Sequence, residues 1–330
     1  MVSAGRPLGE PTPGTQPSGR HSTFRRDRET AMLTVTPIGA SLGARIEGID
    51  LSKPLTAGDR AEILRAFGRY AVLCFPRQSV DPAQQKAFAR NFGALEINVA
   101  AGHYTAPGHP EVMILSNIVE NGKPLGLADA GQDWHTDMSY SKPIAFLNIL
   151  HALKVPVRDG VPLGSTEFLD MAAAFGDLPA FMKRRIEGLT ATHDFNKFWE
   201  EMLKRPGTQR KPLTEEQRRT KPPVSHPIVL THPISGRKAL YCNVGYVTHV
   251  DGLAKGESDD ILAFLFEHQV NPKYKWAHSW TEGDVLAWDN LWTMHNALPD
   301  YCPDEPRLMR RCQVMADWIF TPEAKAASLL

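Results

Sequence analysis

Trp134-His135-Thr136-Asp137-Met138-Ser139-Tyr140 is the stretch around which the rest of the chain is read. It sets an imidazole and a carboxylate two residues apart. In an extended strand, residues i and i+2 project to the same face, so one nitrogen and one oxygen approach the same point from one side. Two such donors hold a metal ion poorly. A third has to come from elsewhere, and the search for it organises the remaining residues.

The chain has twelve histidines. His21 lies in an N-terminal arm, His103 and His109 in a polar segment, and His268 and His278 near a helix end and a loop. His151, His193, His226, His232 and His249 sit among strand or loop residues. For each of these, partial burial with one hydrogen bond is the ordinary state. His135 differs because Asp137 accompanies it. His295 is the third candidate: it follows Trp288-Asp289-Asn290-Leu291-Trp292-Thr293-Met294, whose polar residues can brace a site. Two histidines and one carboxylate with open positions beside them form the donor set of a non-haem Fe(II) centre. Downstream, Arg307 and Arg311 stand four residues apart. Arginine suits a two-pronged grip on carboxylate or sulfonate, while the plainer reading is a surface cation pair beside Asp304 and Glu305.

Working outward, strand and helix signals alternate. Leu33–Ile38 alternates as a strand, with another near Ala44–Glu47. Thr56 with Asp59 marks a helix start, and Ile63, Leu64 and Phe67 form its apolar stripe. Ala71–Phe75 is a short buried strand and Asp81-Pro82 opens a second helix. Strands are expected at Val112–Ser116, Ala145–Leu153, Thr166–Leu169, Ile228–Thr231, Ala239–Asn243, Val247–Val250, Asp284–Asp289 and Arg311–Phe320. Helices are expected from Asp170, over Leu178–Leu189 and over Asp259–Gln269. Asn117–Gln132, with three glycines, is expected to be a long mobile loop, and about 197–223 a charged insertion or lid with little apolar content. The class is mainly β with flanking helices, a sandwich or jelly roll.

Composition sets the outer limits. The 330 residues carry 37 Lys+Arg against 37 Asp+Glu, so bulk charge recruits neither nucleic acid nor membrane. No apolar run has the length of a bilayer span. The four cysteines are far apart and lack CxxC spacing, which argues against a disulfide framework or a structural zinc site and fits a reducing cytoplasm. Residues 1–31, rich in Pro, Gly, Ser, Thr and Arg, are expected to be a disordered extension, with Met32 as the natural start of a single domain over 32–330.

The motifs together resemble the family of taurine dioxygenase and 2,4-dichlorophenoxyacetate dioxygenase. Those carrying the resemblance are Trp134-His135-Thr136-Asp137, Trp288-Asp289-Asn290 leading to His295, and Arg307-x-Met309-x-Arg311. Gly48-Ile49-Asp50-Leu51-Ser52, Phe92-Gly93-Ala94-Leu95 and His232–Tyr241 add to it, from about Leu33 to Phe320. The resemblance implies a double-stranded β-helix and an Fe(II)- and 2-oxoglutarate-dependent oxygenase. It implies His135, Asp137 and His295 as iron ligands, with 2-oxoglutarate and O2 as cosubstrates. Arg307 and Thr166 match the residues that hold the distal carboxylate of 2-oxoglutarate, although this chain has Leu163-Gly164-Ser165-Thr166 where the family usually has Gly-Gly-Asp-Thr. Arg311 matches the arginine that binds the anionic head of the prime substrate.

Asn98 falls where the taurine enzyme has a histidine, which weakens the case for taurine. With Tyr104 nearby, Asn98 is expected to shape the pocket for a larger or more aromatic acid. The implied reaction hydroxylates a small carboxylate, sulfonate or sulfate ester and releases succinate and CO2. C–S or C–O cleavage follows where the hydroxylated carbon bears the heteroatom. Asp137 itself favours hydroxylation, because related halogenases have a small residue there. The family also favours a dimer or tetramer. Two other classes compete: a non-catalytic β-sandwich binding module, and a zinc hydrolase on the same His/Asp cluster.

Overall fold

The computed structural model describes residues 1, 2, 5, 33–97, 104–204 and 211–321. The chain divides into two units, Met1–Ala31 and Met32–Leu330, and all the elements below lie in the second. The disorder expected for 1–31 falls almost wholly outside the described residues.

The chain opens with the antiparallel pair β1 (Thr34–Pro37) and β2 (Ala44–Glu47). Helix α1 (Ala57–Tyr70) starts as its sequence directs: the Thr56 side chain accepts from the Asp59 N–H, and the Asp59 carboxylate accepts from the Thr56 backbone. This reciprocal cap satisfies donors that a helix start leaves open. Ile63, Leu64 and Phe67 are its buried stripe. β3 (Val72–Phe75) follows, buried throughout and parallel to β2. Asp81 caps α2 (Pro82–Ala89) in the same reciprocal way.

β4 (Thr105–Ala106) and β5 (His109–Ser116) come next, then a hairpin of β6 (Val119–Glu120) and β7 (Lys123–Pro124). Segment 117–132 is therefore not one featureless loop. Its Gly126 presses on β5, where a Cβ would stand 2.7 Å from the Ile114 carbonyl oxygen. β8 (Ala145–Lys154) has its first eight residues buried. A small hairpin, β9 (Val157–Arg158) with β10 (Val161–Pro162), leads to β11 (Thr166–Asp170). Asp170 then caps α3 (Met171–Gly176) through the Ala172 and Ala173 N–H groups.

Beyond it lie α4 (Ala180–Ile186), β12 (Thr190–His193), α5 (Phe195–Leu203) and α6 (Glu215–Thr220). Four strands follow: β13 (Val224–Pro227), β14 (Val229–Thr231), β15 (Lys238–Leu240) and β16 (Val247–Val250). The chain closes with α7 (Lys255–Gln269), β17 (Lys275–His278), β18 (Val285–Asp289), β19 (Thr293–Ala297) and β20 (Leu308–Met315).

Several expectations shift. Trp134–Tyr140 is not a strand: only His135 bridges to another strand, and 137–140 form a turn with Met138 at φ 55°. His295 lies inside β19, a strand not among those expected. The last strand begins at Leu308 and ends at Met315. β17 carries too few apolar residues to announce itself.

The major sheet has eight strands in the order β1-β2-β3-β18-β8-β20-β5-β4, and β17-β11-β19 and β13-β12-β16 form separate three-stranded sheets. Alternation along β8 sends its side chains both ways. Leu147 and Ile149 join Phe67, Phe88 and Phe92 in the core under α1 and α2. Leu150 and Ala152 join Phe168, Trp288 and Met294 in the core shared with β11 and β19. The architecture is mainly β with helices, as expected. No helix among the described residues is long and apolar enough to cross a membrane.

Candidate active site

His135 and His295 meet through their backbones. The His135 N–H donates to the His295 carbonyl at 3.2 Å, and the His295 N–H donates back to the His135 carbonyl at 2.9 Å. Their rings stand 4.2 Å apart between centroids. The turn after His135 then delivers Asp137. His135 Nε2 is 3.5 Å from Asp137 Oδ1, and His295 Nε2 is 3.7 Å from Asp137 Oδ2. One donor atom from each of the three lies within 4.8 Å of the others, and all three residues are buried. His135 and Asp137 are thus brought together by a bridge followed by a turn, not by sharing one face of a strand.

The surroundings suit ligation. His135 Nδ1–H donates to the Asp133 carbonyl at 2.7 Å, which leaves the Nε2 lone pair facing the cluster. His295 packs on Trp288 and Phe168, with its Nδ1 unpartnered among the described residues. Burial first, and then the neighbouring His135, push His295 well below the usual imidazole range, so it is neutral. Burial alone would raise Asp137, yet Arg311 and the two histidines more than offset it and hold the carboxyl below the ordinary range. Asn148 Nδ2 and Arg311 Nη1 both donate to Asp137 Oδ2, the latter at 3.3 Å. Asn148 escaped the sequence reading. Its signal was there: a polar amide in the middle of the apolar run of β8.

Thr166 opens β11 and pairs with Ala297, two residues beyond His295. Its Oγ1 accepts from Trp280 Nε1 at 3.1 Å. Arg307 precedes β20 and is tied by its backbone to the last residue of β5 and the one after it: its N–H donates to Asn117 Oδ1 at 2.8 Å, and its carbonyl accepts from Ser116 Oγ at 2.7 Å. The guanidinium is buried, beside Tyr301, and its Nε has no partner among the described residues. Burial pulls it below the ordinary arginine range, with Tyr301 and Asp300 opposing; it nonetheless stays charged. Gly164, at φ +70°, keeps this place open, because a Cβ there would lie 3.2 Å from Arg307 Nε. A buried cation with donor capacity to spare is a fitting receptor for a dicarboxylate end. The surface-pair alternative fails, since Arg307 and Arg311 are 5% and 8% exposed. Glu305 pairs instead with Arg158, at 2.7 Å to its Nε.

A cavity reaches His135, Asp137 and Arg311 from the other side. Met113, Leu127, Phe195, Phe198, Trp199 and Tyr246 furnish its apolar wall. Arg311 also contacts Met113 Sδ and Gln313 Oε1. Helix α5 provides three of the wall residues at i, i+3 and i+4, the spacing that aligns side chains on one helical face. Two of these, Phe198 and Trp199, belong to segment 197–223, which is therefore more than a charged insertion, although α6 within it buries nothing. Tyr104 is not among the described residues lining this cavity; it precedes β4, and its carbonyl accepts from the Ile114 N–H of β5. Asn98 lies outside the described residues.

Residues 34–313 match the model of the taurine catabolism dioxygenase TauD, TfdA family. Pentalenolactone F synthase of Streptomyces arenae is 32% identical over 288 residues, spanning 84% of this chain and 94% of that protein. The α-ketoglutarate-dependent 2,4-dichlorophenoxyacetate dioxygenase of Cupriavidus pinatubonensis is 33% identical over 298 residues, spanning 86% and 98%. A crystal structure of AAD-2 in complex with Mn(II) and N-oxalylglycine superposes with a TM-score of 0.69 at 30% identity, covering 86% of this chain and 97% of that one. These matches give no support to a binding module or a zinc hydrolase. The chain belongs to the taurine catabolism dioxygenase TauD, TfdA family.

Proposed function

We propose that the substrate is a small aryl-bearing acid, its anionic end on Arg311 and its ring against Phe195, Phe198 and Trp199. As a member of its family, the protein is an Fe(II)- and 2-oxoglutarate-dependent dioxygenase that hydroxylates a small anionic organic substrate. Bound iron, with 2-oxoglutarate and O2, supplies the oxidising chemistry, with succinate and CO2 released. In this reading His135, Asp137 and His295 would hold the iron. Asn148 keeps the Asp137 carboxylate from rotating, and the Asp133 carbonyl fixes the His135 tautomer. Arg307, with Thr166 beside Gly164, receives the distal carboxylate of 2-oxoglutarate. Arg311 turns from Asp137 toward the substrate anion, and the aromatic wall excludes water from the reacting carbon. The major sheet with β17-β11-β19 would then be the two faces of a double-stranded β-helix.

The observation carrying the proposal is a buried arginine facing the aromatic side chains of Phe195, Phe198 and Trp199 across a cavity whose other charged or polar lining residues include Asp129, His135 and Asp137. It is supported by the relative named for a phenoxyacetate. The test is succinate release against a panel of aryloxyacetates, arylacetates, alkyl sulfates and taurine. Aryl acids should turn over fastest; taurine or an alkyl sulfate outpacing every aryl acid would overturn the substrate class. For the metal, anaerobic addition of Fe(II) and 2-oxoglutarate should give a visible charge-transfer band that is lost in His135→Ala. Tight zinc with no such band would refute the ligand assignment.

A further inference from the structure

We propose that Cys74, His278 and Asp284 form a second metal site, distinct from the His135 cluster and suited to a borderline-soft divalent cation such as zinc. The three come from separate places: Cys74 from β3, His278 from the last position of β17, and Asp284 from the residue before β18. Strand pairing assembles them. Cys74 is the cross-strand partner of Leu286 in β18, and the Asp284 carbonyl accepts from the Ala152 N–H of β8. One donor atom from each lies within 4.8 Å of the others. Linear spacing of cysteines is blind to such a set, which is why the sequence argued against zinc.

Three observations carry the site. The residues are 4%, 7% and 5% exposed, so the donors are nearly dry. His278 Nε2 is buried and makes no well-formed hydrogen bond among the described residues; it faces Asp284 Oδ2 at 3.3 Å. Two ligands about 2.0–2.1 Å from a zinc ion, at a tetrahedral angle, stand about 3.3 Å apart. Asp284 is already oriented, because its Oδ2 accepts from the Thr281 N–H at 3.0 Å. A cavity of ≈ 390 Å³, lined also by Arg45, Trp276 and Thr281, gives an entry path and room for a fourth ligand.

Binding would release the Cys74 thiol proton to solvent. Thiolate, carboxylate and neutral imidazole then carry two negative charges against two positive ones. Occupancy would join β3, β17 and the start of β18. His278 is the cross-strand partner of Thr166 and packs on Trp280, the residue that donates to Thr166. A metal here therefore braces the strand that meets the proposed cosubstrate pocket.

Cobalt separates the two sites, because only this one contains sulfur. The full-length chain, metal-stripped and kept reduced and anaerobic, is titrated with Co(II). Wild type should develop a near-ultraviolet sulfur-to-cobalt charge-transfer band, and Cys74→Ser should lose it together with one bound equivalent. The weaker visible bands of cobalt at the His135 cluster should persist, which also reports that the variant is folded. His278→Gln should weaken the band without removing cobalt from the His135 cluster, and Cys302→Ser, at the exposed cysteine, should leave the band intact. Absence of the band in wild type, or its survival in Cys74→Ser, would overturn the proposal.

Discussion

The two ends of the active-site region are built differently. The end assigned to 2-oxoglutarate rests on the sheets: Thr166 begins β11, Arg307 is clamped through its backbone to Ser116 and Asn117, and Gly164 leaves the space between them. The end assigned to the prime substrate rests largely on α5 and the 127–131 segment, with Arg311 of β20 and Met113 of β5 contributed by the major sheet. A cosubstrate common to the family calls for a fixed receptor, whereas a substrate that differs between members calls for parts that change without disturbing the sheets. Pentalenolactone F synthase and the phenoxyacetate enzyme resemble this chain about equally, at 32% and 33% identity, yet their names give them different chemistry.

Mutations can break this contrast. Arg307→Ala should have the largest effect: losing one partner of a buried charge pair costs about 2–5 kcal/mol, or roughly 30-fold and upward in KM for 2-oxoglutarate. Measured KM for the prime substrate should move far less; an equal shift in both would erase the division between the ends. Arg311→Ala comes next. Charged hydrogen bonds are worth about 1.5–3 kcal/mol, so KM for the acid should rise about 10- to 150-fold while that for 2-oxoglutarate holds. Succinate should also form without matching product, and tight coupling in the variant would count against the anion-anchor role. The smallest effect is expected for Phe198→Ala. An aromatic contact contributes about 0.5–1.5 kcal/mol beyond its area, so preference for aryl over alkyl acids should fall about 2- to 12-fold. Unchanged preference across the panel would move the ring-binding surface away from α5.

Much of the framework was legible because local rules agreed with the final structure. The Thr56–Asp59 cap, the Asp81-Pro82 start and the buried runs of β3 and β8 all formed where their sequence signals lay. The candidate ligands were legible too, through the type and order of residues rather than their conformation. What stayed hidden depends on distant pairing. Nothing near His295 announces that its backbone bonds to His135, or that Asn148 will meet Asp137. Cys74, His278 and Asp284 are unremarkable in their own neighbourhoods. Phe195, Phe198 and Trp199 were obscured by the charged residues that surround them, though their spacing was that of a helix face.

The reciprocal hydrogen bonds between His135 and His295 carry a consequence for how iron would come and go at the centre proposed there. The two imidazoles are held together by main-chain geometry, so their separation does not depend on the ion between them. An emptied centre keeps its shape, and reloading needs little reordering of the chain. Metal exchange here is thus a side-chain event rather than an unfolding one. Loss of iron alone should leave the melting temperature far less altered than loss of the metal from a metal-nucleated fold would, and activity should return on adding Fe(II) back.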